Sequence, residues 1–184
     1  VNPAVPAVPV WPVIQQAIVE APYPVVVLPA DPVRAAQTAA ALGLGTGSWL
    51  GAVVTGSGGL LVDHGWLRVL GGGSVEPELP DVATANGLPG GYVDRLVVAY
   101  DVLGGLFALT RGGIEFLASQ RWEPLGVDYP AWLAGMLSGG TDDLYRDLRW
   151  TGWEREVAAV SVDHGLRLSE SGRRTVSIGE LFGS

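Results

Sequence analysis

The chain is 184 residues long, 48% apolar and 16% charged, with a formal net charge of −8 and no cysteine. That composition suits one compact domain with a sizeable core, and it excludes disulfides, thiol nucleophiles and cysteine-ligated zinc. All eleven basic residues are arginine, which also removes Schiff-base lysines and the P-loop lysine, and the acidic balance argues against a nucleic-acid partner.

Residues 1–11 alternate proline with small apolar side chains and lack a basic n-region, so they are expected to form an extended lead-in rather than a signal peptide. Trp11, Ile14 and Ile18 then fall at i, i+3 and i+7, which predicts a short helix over Pro12 to Glu20. Val25 to Leu28, an apolar run between prolines, predicts a short buried strand. Asp31 followed by Pro32 supplies an N-cap and a first-turn proline for a helix from Val33 to Leu42, closed by Gly43. Gly43 to Gly47 invites comparison with a dinucleotide-binding loop. It fails, because it follows a helix and lacks the third glycine. Leu50 to Thr55 is expected to be a strand. No residue from Ala35 to Val62 is charged, yet seven glycines break the run, so it does not predict a membrane span.

Leu60 to Val62 and Trp66 to Leu70 are two strand-forming runs joined by Asp63-His64-Gly65, which predicts a buried hairpin with a three-residue loop. Residues 75–91, rich in Pro, Gly, Asp and Asn, predict a long, mobile surface connection. Leu96 to Tyr100, Leu106 to Leu109 and Ile114 to Leu117 lie too close together for crossover helices and predict an antiparallel meander. The remainder reads as helical. One helix follows Asp128-Tyr129-Pro130 and carries Trp132, Leu133, Met136 and Leu137; another is capped by Thr141, with Leu144 and Leu148 facing inward. A third opens on a Thr151/Glu154 capping box and buries Trp153, Val157 and Val160, and Ser177 to Glu180 caps a final turn.

Several of these stretches together resemble the bacterial domain-of-unknown-function 2625 family. They are Leu50-Gly51-Ala52-Val53, the segment Gly59 to Gly73 centred on Asp63-His64-Gly65-Trp66-Leu67-Arg68, the segment Asp101 to Leu109, and Asp147-Leu148-Arg149-Trp150 with Trp153-Glu154. The resemblance spans nearly the whole chain and implies no activity. From Asp101 to Gly139 the order of elements is also similar to the C-terminal half of the SUKH superfamily, α+β domains found among toxin-immunity and cell-wall-regulation proteins. That similarity implies a non-catalytic protein-binding module.

Two groups of residues stand out as candidate sites. Arg149, Trp150, Trp153 and Arg155 put two indoles beside two guanidinium groups, the residue types that dominate interface hot spots; packing between helices and sheet is the competing explanation. His64 and His164, the only two histidines, each follow an aspartate, in Asp63-His64-Gly65 and Asp163-His164-Gly165. Two imidazoles and two carboxylates could hold a metal or form a general base, whereas the plainer explanation is a turn sequence used twice, with its glycine left-handed. The acidic group Asp142, Asp143, Asp147, Glu154 and Glu156 fits helix starts and solvated faces better than a catalytic carboxylate pair. The expected protein is therefore a single α+β domain, mainly antiparallel sheet with helices packed against it. It would be a cytoplasmic, immunity- or regulator-like binding module for another protein, with no cofactor, metal, membrane or catalytic residue. The alternative is an enzyme or metal-binding protein using the Asp-His-Gly turns.

Overall fold

The computed structural model describes residues 8–45, 47–88 and 94–182, and its centre is a seven-stranded antiparallel sheet. In chain order the strands are β1 (Val25–Leu28), β2 (Gly59–Val62), β3 (Leu67–Leu70), the two-stranded ribbon β4 (Ser74–Val75) and β5 (Glu78–Leu79), then β6 (Leu96–Asp101), β7 (Leu106–Thr110), β8 (Gly113–Leu117) and β9 (Trp122–Pro124). The sheet runs β1-β2-β3-β6-β7-β8-β9, so β1 and β9 are its edges.

Strand register decides what each face carries. Val26, Leu61, Arg68, Tyr100 and Leu106 lie opposite one another across five strands, and Val27, Leu60, Val69, Ala99 and Phe107 form the adjacent row. Successive side chains along a strand point to opposite faces, so the two rows look in opposite directions. The second row meets the helices. Leu60, Val69, Ala99 and Phe107 are fully buried, and Trp132 packs on Phe107 at 5.2 Å between ring centroids. Three mutually packed helices, α1 (Val10–Val19), α3 (Trp49–Gly56) and α5 (Tyr129–Leu137), add Ile14, Val53 and Leu133 to that core, with α2 (Pro32–Leu42) against α3.

The row holding Arg68 and Tyr100 is crossed instead by the C-terminal segment. After α6 (Gly140–Tyr145) and a 3₁₀ turn over Arg146–Leu148 come α7 (Trp153–Ala158), the hairpin β10 (His164–Ser169) and β11 (Gly172–Ser177), and α8 (Ile178–Leu181). Tyr100 Oη donates to the Val162 carbonyl, Arg68 Nη1 to the His164 carbonyl and the Leu166 N–H to the Val102 carbonyl, each at 2.7 Å. These bonds fasten residues 162–166 across the sheet as a strap.

Most of the expected elements are present, including the β2–β3 hairpin, the β6–β7–β8 meander, α2 with Asp31 as N-cap and Gly43 closing it, and the Ser177/Glu180 capping box. Others differ. Leu50 to Thr55 is helical, because Ser48 Oγ accepts the Gly51 N–H at 2.9 Å and starts α3. A continuous apolar run does not separate a buried helix from a buried strand. As an edge strand, β1 leaves Val26 52% and Val27 38% exposed rather than buried. The stretch expected as a loose connection holds β4, β5 and α4 (Val82–Ala85), with Leu79 and Val82 fully buried; residues 89–91 of it lie outside the described residues. α1 already begins at Val10, and residues 1–7 of the expected lead-in likewise lie outside them. The C-terminal region is not wholly helical, since it ends in the β10–β11 hairpin, and Leu148 is 50% exposed rather than inward.

Candidate functional site

The β2–β3 connection is a four-residue loop, because Val62 pairs with Leu67 and the Trp66 N–H closes on the Asp63 carbonyl at 3.0 Å. Asp63, His64 and Gly65 all take left-handed backbone angles, at φ 54°, 61° and 83°. Such angles cost about 1 kcal/mol or more for a residue with a side chain and persist only where the surroundings hold them. Asp63 provides that hold. Its carboxylate is 2% exposed; Oδ2 accepts from Thr141 Oγ1 at 2.6 Å and from Arg149 Nη2, while Oδ1 lies 3.0 Å from His64 Nδ1.

Arg149 extends the assembly. Its side chain is 7% exposed, its Nη1 donates to Asp142 at 2.6 Å, and its guanidinium lies 3.9 Å from the Trp153 ring and 4.8 Å from the ring of fully buried Trp66. His64 meets Trp153 edge-on at 5.4 Å. Asp63 and His64 on one hand, Arg149 and Trp153 on the other, thus form one cluster although they were singled out separately. Thr141 is a member rather than a helix cap: Gly139, at φ 106°, occupies the N-cap position of α6, and Gly152, at φ 82°, that of α7, where Thr151 was expected. Trp150 joins the cluster through the Trp66 ring, 5.8 Å away between centroids, and on its other side donates from Nε1 to Glu156 at 2.8 Å beneath the Arg173 guanidinium, 4.2 Å above its ring. Arg173, paired with Glu156, pulls the Glu156 carboxyl below its ordinary value. Arg155 is exposed and makes no side-chain hydrogen bond or ion pair among the described residues.

The second Asp-His-Gly is not a hairpin loop but the end of a turn, closed by the His164 N–H on the Ser161 carbonyl at 2.9 Å. His164 starts β10, Gly165 is not left-handed, and the Asp163–His164 pair, 2.8 Å apart, is substantially exposed. What joins the two copies is Arg68, fully buried, whose Nε donates to the Gly65 carbonyl and Nη1 to the His164 carbonyl, both at 2.7 Å. Burial lowers the Arg68 pKa, and the nearby Tyr100, Asp101 and Asp163 oppose that shift.

Two cavities flank the strap. One of about 270 Å³ lies against β1, walled by Pro24, Val26, Leu61, His64, Val157 and Val160. The other, about 350 Å³, is walled by Leu70, Val97, Tyr100, Leu106, Ile178 and Phe182, and Asp163 lines it. His64 and Asp163 therefore border different cavities. The Asp63–His64 pair could orient an imidazole for proton transfer. Among the described residues, no hydroxyl is hydrogen-bonded to His64 and no three His, Cys, Asp or Glu side chains are grouped to hold a metal. Sequence reasoning missed Arg68, Thr141 and Trp66 as parts of this site. A lone charge inside an apolar strand was the signal for Arg68, since a charge is seldom buried without bonded partners.

The family model "Protein of unknown function DUF2625" matches residues 5–173. The chain is 35% identical over 162 residues to the "Putative uncharacterized protein YbfG" of Escherichia coli (strain K12), covering 82% of this chain and 74% of that protein. It is also 35% identical over 127 residues to an "Uncharacterized protein" of Haemophilus influenzae (strain ATCC 51907 / DSM 11121 / KW20 / Rd), covering 61% of this chain and 55% of the relative. No solved structure matches. Among the described residues, no helix is long and apolar enough to cross a membrane.

Proposed function

The chain belongs to the DUF2625 family of proteins of unknown function, and we propose that it serves as a cytoplasmic, non-catalytic protein-binding module, immunity- or regulator-like, that takes an extended segment of a partner protein along β1. The observation that carries this reading is the contrast between the two edges of the sheet. β9 is blunted by Glu123 and Pro124, whereas β1 is Val-Val-Val-Leu, with Val26 and Val27 exposed and no strand on its outer side among the described residues. Sheet edges are ordinarily protected by charge, proline or bulges, and β1, although flanked by Pro24 and Pro29, has neither charge nor proline within the strand, which leaves its apolar edge a template for strand addition.

The neighbouring cavity supports the same reading. Strand addition gains affinity from main-chain hydrogen bonds and specificity from pockets that receive alternate side chains. Pro24 and Val26 themselves wall the 270 Å³ cavity, so side chains of an added strand on the Val26 face would stand over it, with His64 at its wall and Trp153 behind the imidazole. The Asp63 carboxylate is taken up by Thr141, Arg149 and His64, which fits a role in fixing this wall. Affinity capture from native extract tests the reading, using the wild-type chain and a Val26→Lys/Val27→Lys variant with unchanged thermal stability. A stoichiometric protein held by the wild type and lost by the variant is expected, with slowed amide exchange over Val25–Leu28 in the complex. Equal capture by both chains, or self-association in place of a partner, overturns it.

A further inference from the structure

The larger cavity lies across the strap from the β1 edge and has its own chemistry. Its walls are apolar, with Leu70, Val97, Leu106 and Ile178 beside the Tyr100 and Phe182 rings, which meet edge-on at 5.7 Å. Two carboxylates, Glu78 and Asp163, also line it, and no arginine does. Glu78 makes no side-chain hydrogen bond or ion pair among the described residues. The Asp163 carboxyl is held below its ordinary value by its hydrogen bond to His164, with a further contribution from Arg68. Small-molecule sites are concave, mostly apolar clefts of about 300–1,000 Å³ with a few placed polar groups, and about 350 Å³ falls at the lower end of that range. At roughly 30 Å³ per water-sized unit, the space admits a body on the order of ten heavy atoms.

We propose that this cavity is a binding site for a small organic cation, an alkyl- or arylammonium compound whose apolar body lies against Leu106, Ile178 and Phe182 while its ammonium group faces Glu78 and Asp163. Charge complementarity selects the cation over a fatty acid, because an apolar pocket lined by two carboxylates repels a third. The Phe182 ring adds to that selection, since ring faces attract ammonium groups, whereas the Tyr100 ring already carries the Arg68 guanidinium, 5.6 Å from its centroid. Phe182, 39% exposed and just beyond the single turn of α8, lines the cavity. The site is independent of the partner-binding edge, being walled by a different set of residues.

Calorimetric titration with octylammonium chloride and sodium octanoate, both below their micelle-forming concentrations, tests the assignment. Octylammonium should bind at least tenfold more tightly than octanoate. Glu78→Gln, at an exposed position, should narrow that ratio at least threefold, and adding Asp163→Asn should narrow it further. Ala85→Phe, which fills the cavity from an exposed wall position, should weaken octylammonium at least tenfold at unchanged melting temperature. Absence of octylammonium binding, equal or tighter octanoate binding, a ratio unmoved by Glu78→Gln, or full affinity in Ala85→Phe would each overturn the proposal.

Discussion

Replacing Asp63 by Asn tests whether the hairpin loop is held by the buried carboxylate. Asparagine tolerates the left-handed backbone that residue 63 adopts, at φ 54°, so the substitution removes charge without adding backbone strain. The charge it removes faces Arg149, whose side chain is 7% exposed. Losing one partner of a buried pair costs about 3–5 kcal/mol, because the other charge is left uncompensated. Asp142 still receives Arg149 Nη1 at 2.6 Å but is 58% exposed, which places the expected loss near the lower limit, about 3 kcal/mol. For a chain of this length that corresponds to a fall of about 6–12 °C in Tm. Urea unfolding followed by tryptophan fluorescence reads it directly, since Trp66 and Trp153 flank the guanidinium. Arg149→Met should be destabilising too, and the double variant should be at least about 2 kcal/mol more stable than the sum of the single losses implies. A loss under about 1 kcal/mol for Asp63→Asn, or strict additivity in the cycle, would refute the argument.

Asp101 gives a pH-dependent counterpart. Burial raises its carboxyl above the ordinary 3.8 despite hydrogen bonds from the Gly105 and Leu103 amides and from Tyr145. The folded chain thus holds this proton more tightly than the unfolded one, so the contribution is fully present below about 3.8 and is lost as pH rises through the raised value; Asp101→Asn should flatten that fall in a series of melts from pH 4 to neutrality. Ser48→Ala should cost about 1 kcal/mol by removing the N-cap of α3, and a change under a few tenths in urea unfolding would argue against that cap. Arg68→Met should leave the Gly65 and His164 carbonyls without their donor, at about 1–3 kcal/mol each where buried, and open residues 160–182 to limited proteolysis. An unchanged cleavage pattern would count against the strap.

Local chemistry made part of the fold readable. Asp31-Pro32 and Gly43 bracket α2 with a cap, a first-turn proline and a left-handed stop, and Asp63-His64-Gly65 marks the hairpin because such residues tolerate positive φ. Where burial rather than local chemistry decides, the signal fades. α3 has Leu50 through Val54 buried on every side, which leaves no polar face to reveal its helical period. The β10–β11 hairpin buries Gly165, Leu166 and Val176 and leaves Arg167, Arg173 and Arg174 exposed, so its alternation is too sparse to read. The site was legible as residue types but not as an assembly. Asp63 and Arg149 are 86 positions apart, and only the packing of α6 and α7 against the hairpin brings them together.

The bond from Arg68 to the His164 carbonyl spans 96 positions. On a ribosome, the hairpin that bears this arginine emerges long before its acceptor exists, so the growing chain carries a buried-to-be cation and a bare greasy flank through much of translation. Nascent-chain quality control would therefore meet this protein with one side undressed until residues 160–182 arrive, and termination before them should yield an aggregation-prone product rather than a smaller working one.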